Sequence, residues 1–192
     1  MLKDLIISRV RVKILSLFFS FPDKIFHVRE VVRQTDEEIN AVRRELLHLE
    51  KIGLFSKEHR ANRLYYNLRR DYPLYYDILE IVTKTSGLGE AILKNKAKLG
   101  RVKYVVISGR FARRKERRER NEIDFLVVGN VVLPELAQLI KAEEVRVGKE
   151  VNYTVMSEEE FDFRKRRRDP FVENILRMSK IMVIGDEEEL IS

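Results

Sequence analysis

Two apolar runs limit most strongly what this chain can fold into: Val102 to Ile107 and Ile123 to Val128, separated by a largely charged stretch. Short runs rich in β-branched residues and bounded by turn signals read as buried strands. Ser108-Gly109-Arg110 supplies the turn after the first run, and RRKERRER (113–120) is a loop with six basic residues in eight. Buried strands need cover on their faces, and helical patterns follow. Leu133 to Ala142 carries Pro134 in its first turn, Ser157 with Glu160 opens a capped helix, and Phe171 to Met178 repeats at helical spacing. Val151 to Met156 and Ile181 to Ile184 read as a third and a fourth strand. Residues 101–192 are thus expected to form an α/β domain with a mixed sheet, in a chain that is α+β overall.

The first 70 residues follow a different pattern. Val10, Ile14, Leu17, Phe18 and Phe21 predict a helix over about 8–20 that ends before Pro22. A short segment, Lys24 to Val28, precedes a second helix over about 29–34. Thr35-Asp36-Glu37-Glu38 matches a capping box for a third helix, which runs through INAVRRELLHLEKI to Gly53. Ile39, Val42, Leu46 and Leu49 form its apolar stripe. Asn40, Arg43, Arg44 and His48 then lie on the outer side, and Leu47 sits oddly among them. Leu54 to His59 and Arg63 to Leu68 read as two strands around Arg60-Ala61-Asn62. Between the two halves, residues 71–100 predict a helical connector with a break near Ser86-Gly87 and a second helix through Leu99. Its Tyr72, Tyr75, Tyr76, Leu79 and Val82 suit a core or a subunit interface better than base stacking.

Composition narrows the function. With 44% hydrophobic and 36% charged residues, the chain of 192 residues is globular and long enough for two small cores. No apolar run approaches the ~20 residues of a membrane span. Neither a signal-peptide pattern nor a cysteine is present, and a cytoplasmic location is expected. The net charge of +7 is concentrated at one end: residues 1–70 hold 15 basic and 9 acidic side chains. Such a bias is expected of a domain that meets a polyanion. His27, His48 and His59 fall on separate elements without ligand spacing, so no metal site is expected from them.

The segment VRRELLHLEKIGLFSKEHRANRLYYNL resembles the recognition helix and wing of ArsR- or MarR-like winged helix-turn-helix regulators, over about residues 5–70. The resemblance implies that the third helix enters the major groove of double-stranded DNA. Asn40, Arg43, Arg44 and His48 would then face bases, with Arg60, Asn62 and Arg63 on the wing. It implies no cofactor. A homodimer is expected as well, because one winged helix contacts too little duplex to discriminate against a genome.

The segment VKYVVISGRFARRKERRERNEIDFLVVG is similar to the minimal nucleotidyltransferases of the DNA polymerase beta superfamily, a likeness that extends over about 101–186. Family members carry Gly-Ser after the first strand, Asp-x-Asp at the head of the second and a further acid on the third. Here those places hold Gly109-Arg110, Glu122-Ile123-Asp124 and Asn152. The resemblance implies Mg²⁺ and a nucleoside triphosphate only for an active enzyme. Glu122 extends its carboxylate by roughly one carbon–carbon bond, 1.5 Å, and Mg²⁺ demands near-ideal geometry. The expected domain is therefore catalytically vestigial, with no metal held. Arg113, Arg114, Arg117 and Arg118 of the basic loop are expected to contact DNA phosphates.

Overall fold

The computed structural model describes residues 6–119 and 122–192, so Arg120 of the basic loop lies outside the described residues. Among those described, the fold is a mixture of ten helices and two separate sheets, neither closed into a barrel. The boundary between two compact units falls between Thr85 and Ser86. No helix among the described residues is long and apolar enough to cross a membrane.

The first unit begins with α1 (Arg9–Ser20), whose Ser8 cap accepts from the Arg11 N–H. A two-residue strand, β1 (Phe26–His27), leads into α2 (Val28–Thr35) and then α3 (Ile39–Lys51). The hairpin of β2 (Phe55–Arg60) and β3 (Arg63–Leu68) completes an antiparallel sheet of order β1-β3-β2. Phe18 of α1 joins these elements: its ring lies 4.3 Å from Phe55 and 4.8 Å from Phe26, and all three are buried.

One boundary differs from expectation. Thr35 does not cap α3; it ends α2, buried, with its hydroxyl donating to the Val31 carbonyl at 2.7 Å. Asp36 closes α2 in the left-handed region, φ 50°. The cap of α3 is Glu38, whose carboxylate accepts from the Asn40 and Ala41 N–H groups at 2.8 and 2.9 Å. A carboxylate reaches those donors as well as a hydroxyl does and adds a favourable charge at the helix start.

The connector belongs in part to this unit. Tyr75, Leu79 and Val82 of α4 (Tyr75–Thr85) are buried, and the Tyr75 ring lies 5.4 Å from Phe19 of α1. Of the stripe expected to be core or subunit interface, these three residues are core and Tyr76 is exposed, as are the neighbouring Leu74 and Ile81. The helix after the break, α5 (Gly87–Lys94), stops at the Asn95 cap, five residues short of Leu99.

Carboxylates tie the N-terminal helices together. Glu45 of α3 accepts from the Ser8 hydroxyl at 2.6 Å and from Arg11 Nε at 2.8 Å. Burial pushes the Glu45 carboxyl up, but the hydrogen bonds from Ser8 and Arg11 outweigh it and hold the group below its ordinary range. Glu37 is lowered likewise, first by its bond from Lys13. A folded value below the unfolded one, about 4.3, gives stability that is complete above that value and lost as pH falls through the folded value. Thermal midpoints should therefore drop between about pH 5 and pH 3, with a shallower drop in Glu45→Gln. Parallel curves for the two proteins would assign the acid sensitivity elsewhere.

The second unit is built on a four-stranded mixed sheet of order β6-β5-β4-β7. Antiparallel partners β4 (Gly100–Ser108) and β5 (Phe125–Val131) form its centre. α7 (Leu133–Val147) crosses over to β6 (Tyr153–Met156), which runs parallel to β5, while β7 (Lys180–Ile184) lies antiparallel on the other side of β4. α7 is five residues longer than expected and ends at Gly148, where φ is 68°. The remaining helices are α6 (Gly109–Ala112), α8 (Glu158–Arg166), α9 (Pro170–Arg177) and α10 (Glu187–Ile191). Phe161, Val172, Ile175 and Leu190 pack with Val106, Leu126 and Val128 of the sheet in one apolar cluster.

Candidate functional site

Asn40, Arg43, Arg44 and His48 are all exposed on α3. With about 100° between successive residues they share one side of the helix with Leu47 and Lys51, opposite the buried Val42, Leu46 and Leu49. The neighbouring carboxylates are engaged elsewhere. Glu37 pairs with Lys13 at 2.6 Å and Arg9 at 3.1 Å, Glu45 with Arg11 at 2.8 Å, and Glu50 with Lys57 at 3.1 Å. Among the described residues no ion pair engages Arg43 or Arg44. Six neighbouring side chains of α3 thus form an exposed, cationic face, with Glu38 at the helix start and Glu45 near enough to feel its charges.

The hairpin presents its turn beside Arg63 and Asn62, both exposed. Ala61 takes φ 50°, a conformation that a residue with a Cβ seldom adopts. Arg60 differs from expectation, because it is already occupied. Its Nε and Nη2 donate to the two Glu58 oxygens at 2.9 and 3.1 Å, and its guanidinium lies 5.4 Å from the Tyr65 ring centre. Two strand residues apart, Arg60 and Glu58 share a face, which makes that pairing local.

In the second unit, the turn and the acids come together where β4 and β5 end. Gly109 donates its N–H to the Ser179 carbonyl at 2.7 Å, and a Cβ there would stand 2.4 Å from Ser179 Oγ. Only glycine allows that approach. The Arg110 N–H donates to Ser108 Oγ at 3.2 Å, while its guanidinium Nε donates to the Glu116 carbonyl at 3.1 Å and lies 3.5 Å from Glu122. The backbone donors of this turn are therefore already satisfied within the chain.

Asp124 is 3% exposed. Its Oδ2 accepts from Arg117 Nε at 2.9 Å and from the Asn152 N–H at 3.0 Å, and Arg117 Nη2 lies 2.7 Å from it as an ion pair. Arg117 Nη2 also donates to the Glu150 carbonyl at 2.7 Å, and its pKa is raised, first by its bond to Asp124. Asn152 donates its side-chain amide to the Glu122 carbonyl at 2.7 Å, and Glu122 Oε2 accepts from the Arg118 N–H at 2.8 Å. A guanidinium thus lies against the carboxylate where the nucleotidyltransferase resemblance implies a metal ion. Mg²⁺ does not fit this donor set: Asp124 Oδ2 already holds the Arg117 guanidinium and the Asn152 N–H, Asn152 supplies no carboxylate, and Glu122 is turned to the loop backbone. Among the described residues no three His, Cys, Asp or Glu side chains gather as a metal site.

Of the loop arginines expected to reach phosphates, two turn inward. Arg117 holds Asp124, and Arg114, at φ 57°, lies 3.6 Å from the buried Glu143. Burial, then the like charge of Arg146, lowers the Arg114 pKa against the pull of Glu143. Arg146 completes the triad with two 2.7 Å bonds to Glu143, and Gly87 leaves room for it. Arg113 and Arg118 instead line a cleft of about 780 Å³ with Arg110, Lys115 and Arg177, beside Phe171 and Ile175. The contribution of α9 to this cleft had no sequence signal, since Arg177 lies more than fifty residues beyond the loop. The chain matches no family model, no curated protein and no solved structure.

Proposed function

We propose that this chain is a DNA-binding transcriptional regulator. Its first unit acts as a winged helix-turn-helix of the ArsR or MarR kind, with α3 in the major groove of duplex DNA and the β2–β3 hairpin as the wing. The observation that carries the reading is the face of α3, where Asn40, Arg43, Arg44 and His48 stand exposed and, among the described residues, no ion pair engages Arg43 or Arg44. Such side chains form bidentate contacts to guanine and adenine edges. Arg63 and Asn62, both exposed, would meet backbone phosphate or the minor groove, while Arg60 is paired with Glu58. The protein works as a cytoplasmic homodimer, since two copies read two half-sites.

The second unit is a nucleotidyltransferase-like domain without transferase chemistry. Supporting this are the Arg117 guanidinium on Asp124, Asn152 in place of an acid, and the Gly109 N–H given to Ser179. The alternative, a metal-dependent nucleotidyltransferase delivered by its winged helix, requires Arg117 to leave Asp124. Selection from a randomised duplex library on the purified protein tests the regulator reading: enrichment of one site, lost in an Arg43→Ala, Arg44→Ala double variant, is expected. No retention at low salt would refute it. Incubation with labelled nucleoside triphosphates and Mg²⁺ or Mn²⁺ should leave no incorporation, and transfer abolished by Asp124→Ala would favour the enzyme.

A further inference from the structure

Leu47 is 49% exposed in the middle of the cationic face of α3. It stands roughly 20° around the helix from Asn40 and about 40° from both Arg43 and Lys51. The buried stripe of Val42, Leu46 and Leu49 is on the other side, so Leu47 stands outside the unit's buried core. Resting on the reading of α3 as the helix that enters the major groove, we infer that Leu47 reads the C5-methyl group of a thymine. The major groove offers one apolar feature, that methyl, and it distinguishes A·T from the other pairs there. The flanking cations supply the charge complementarity that brings a polyanionic duplex to this face, and none of them can recognise a methyl group. Leu47 presents a branched apolar end at the level of the side chains that would read base edges, so contact removes the methyl and the leucine from water together.

The geometry also limits where the thymine lies. Leu47 follows Arg43 by one turn and precedes Lys51 by one turn, so its base pair falls between those the two cations approach. Removing a single methyl from such a contact should lower affinity roughly fourfold, the worth of one buried carbon.

The experiment uses the full-length protein and the duplex recovered from the randomised library, with each thymine under the footprint replaced in turn by uracil. One replacement should weaken wild-type binding roughly fourfold, Leu47→Ala should bind the thymine and uracil duplexes equally, and Leu47→Met should keep the discrimination. Uracil tolerated at every position, discrimination that persists in Leu47→Ala, or a selected site with no A·T pair beneath α3 would each overturn the inference while leaving the regulator reading intact. Failure to recover any duplex would overturn both. Leu47 is half exposed, so thermal melting of the variants should match the wild type and separate a lost contact from a lost fold.

Discussion

Alanine at Arg43 or at Arg44 is expected to weaken binding to the selected duplex by roughly 5- to 150-fold, equivalent to about 1–3 kcal/mol for a bidentate base contact. On random duplex the loss should be smaller, because only the phosphate component disappears. The expectation follows from placement: both guanidinium groups lie exposed on α3, one helical turn from Asn40 and from Leu47 or His48. Among the described residues neither forms an ion pair, although both act electrostatically on Glu38 at the helix start. Fluorescence anisotropy at one fixed salt concentration measures it. Equal losses on selected and random duplex would make these residues phosphate contacts and move specificity to Asn40 and His48.

Methionine at Arg117 should destabilise the second unit by about 3 kcal/mol, the lower end of the cost of leaving a buried carboxylate unpaired. Arg117 keeps some contact with water, which is why the lower end applies. For a unit of this size the midpoint should fall by roughly 12 °C or more. Asn at position 124 in the Arg117→Met background should recover much of the loss. A melt indistinguishable from wild type would show that the loop does not hold the acid.

The elements could largely be read from periodicity, because each buries an apolar stripe with its own repeat. Val42, Leu46 and Leu49 announced α3, and the apolar run from Val102 to Ile107 announced β4. Errors arose where two local signals compete. Thr35 followed three residues later by Glu38 imitates a capping box, yet Thr35 is held by its own helix and Glu38 caps alone. The end of α7 was missed because exposed Val145 breaks the apolar stripe before Gly148 stops the helix. The site was less legible still. Asn152 meets Asp124 only because β5 and β6 pair in parallel across α7, a contact between residues 28 apart. Nor could sequence distinguish Arg117 from its neighbours: several arginines in one loop are chemically alike, and only the folded sheet decides which one finds a buried carboxylate.

The outer strand of the hairpin has one more consequence. β2 pairs with β3 on one side only, so its other edge carries unpaired backbone donors and acceptors open to any extended chain. Lys57, Glu58, His59 and Arg60 follow one another along that strand, all exposed. Consecutive ionisable side chains oppose the stacking of a further strand, since each addition would strip their hydration. The charged sequence of this edge thus guards it against edge-to-edge aggregation, and neutral substitutions from Lys57 to Arg60 would trade solubility for little gain in fold.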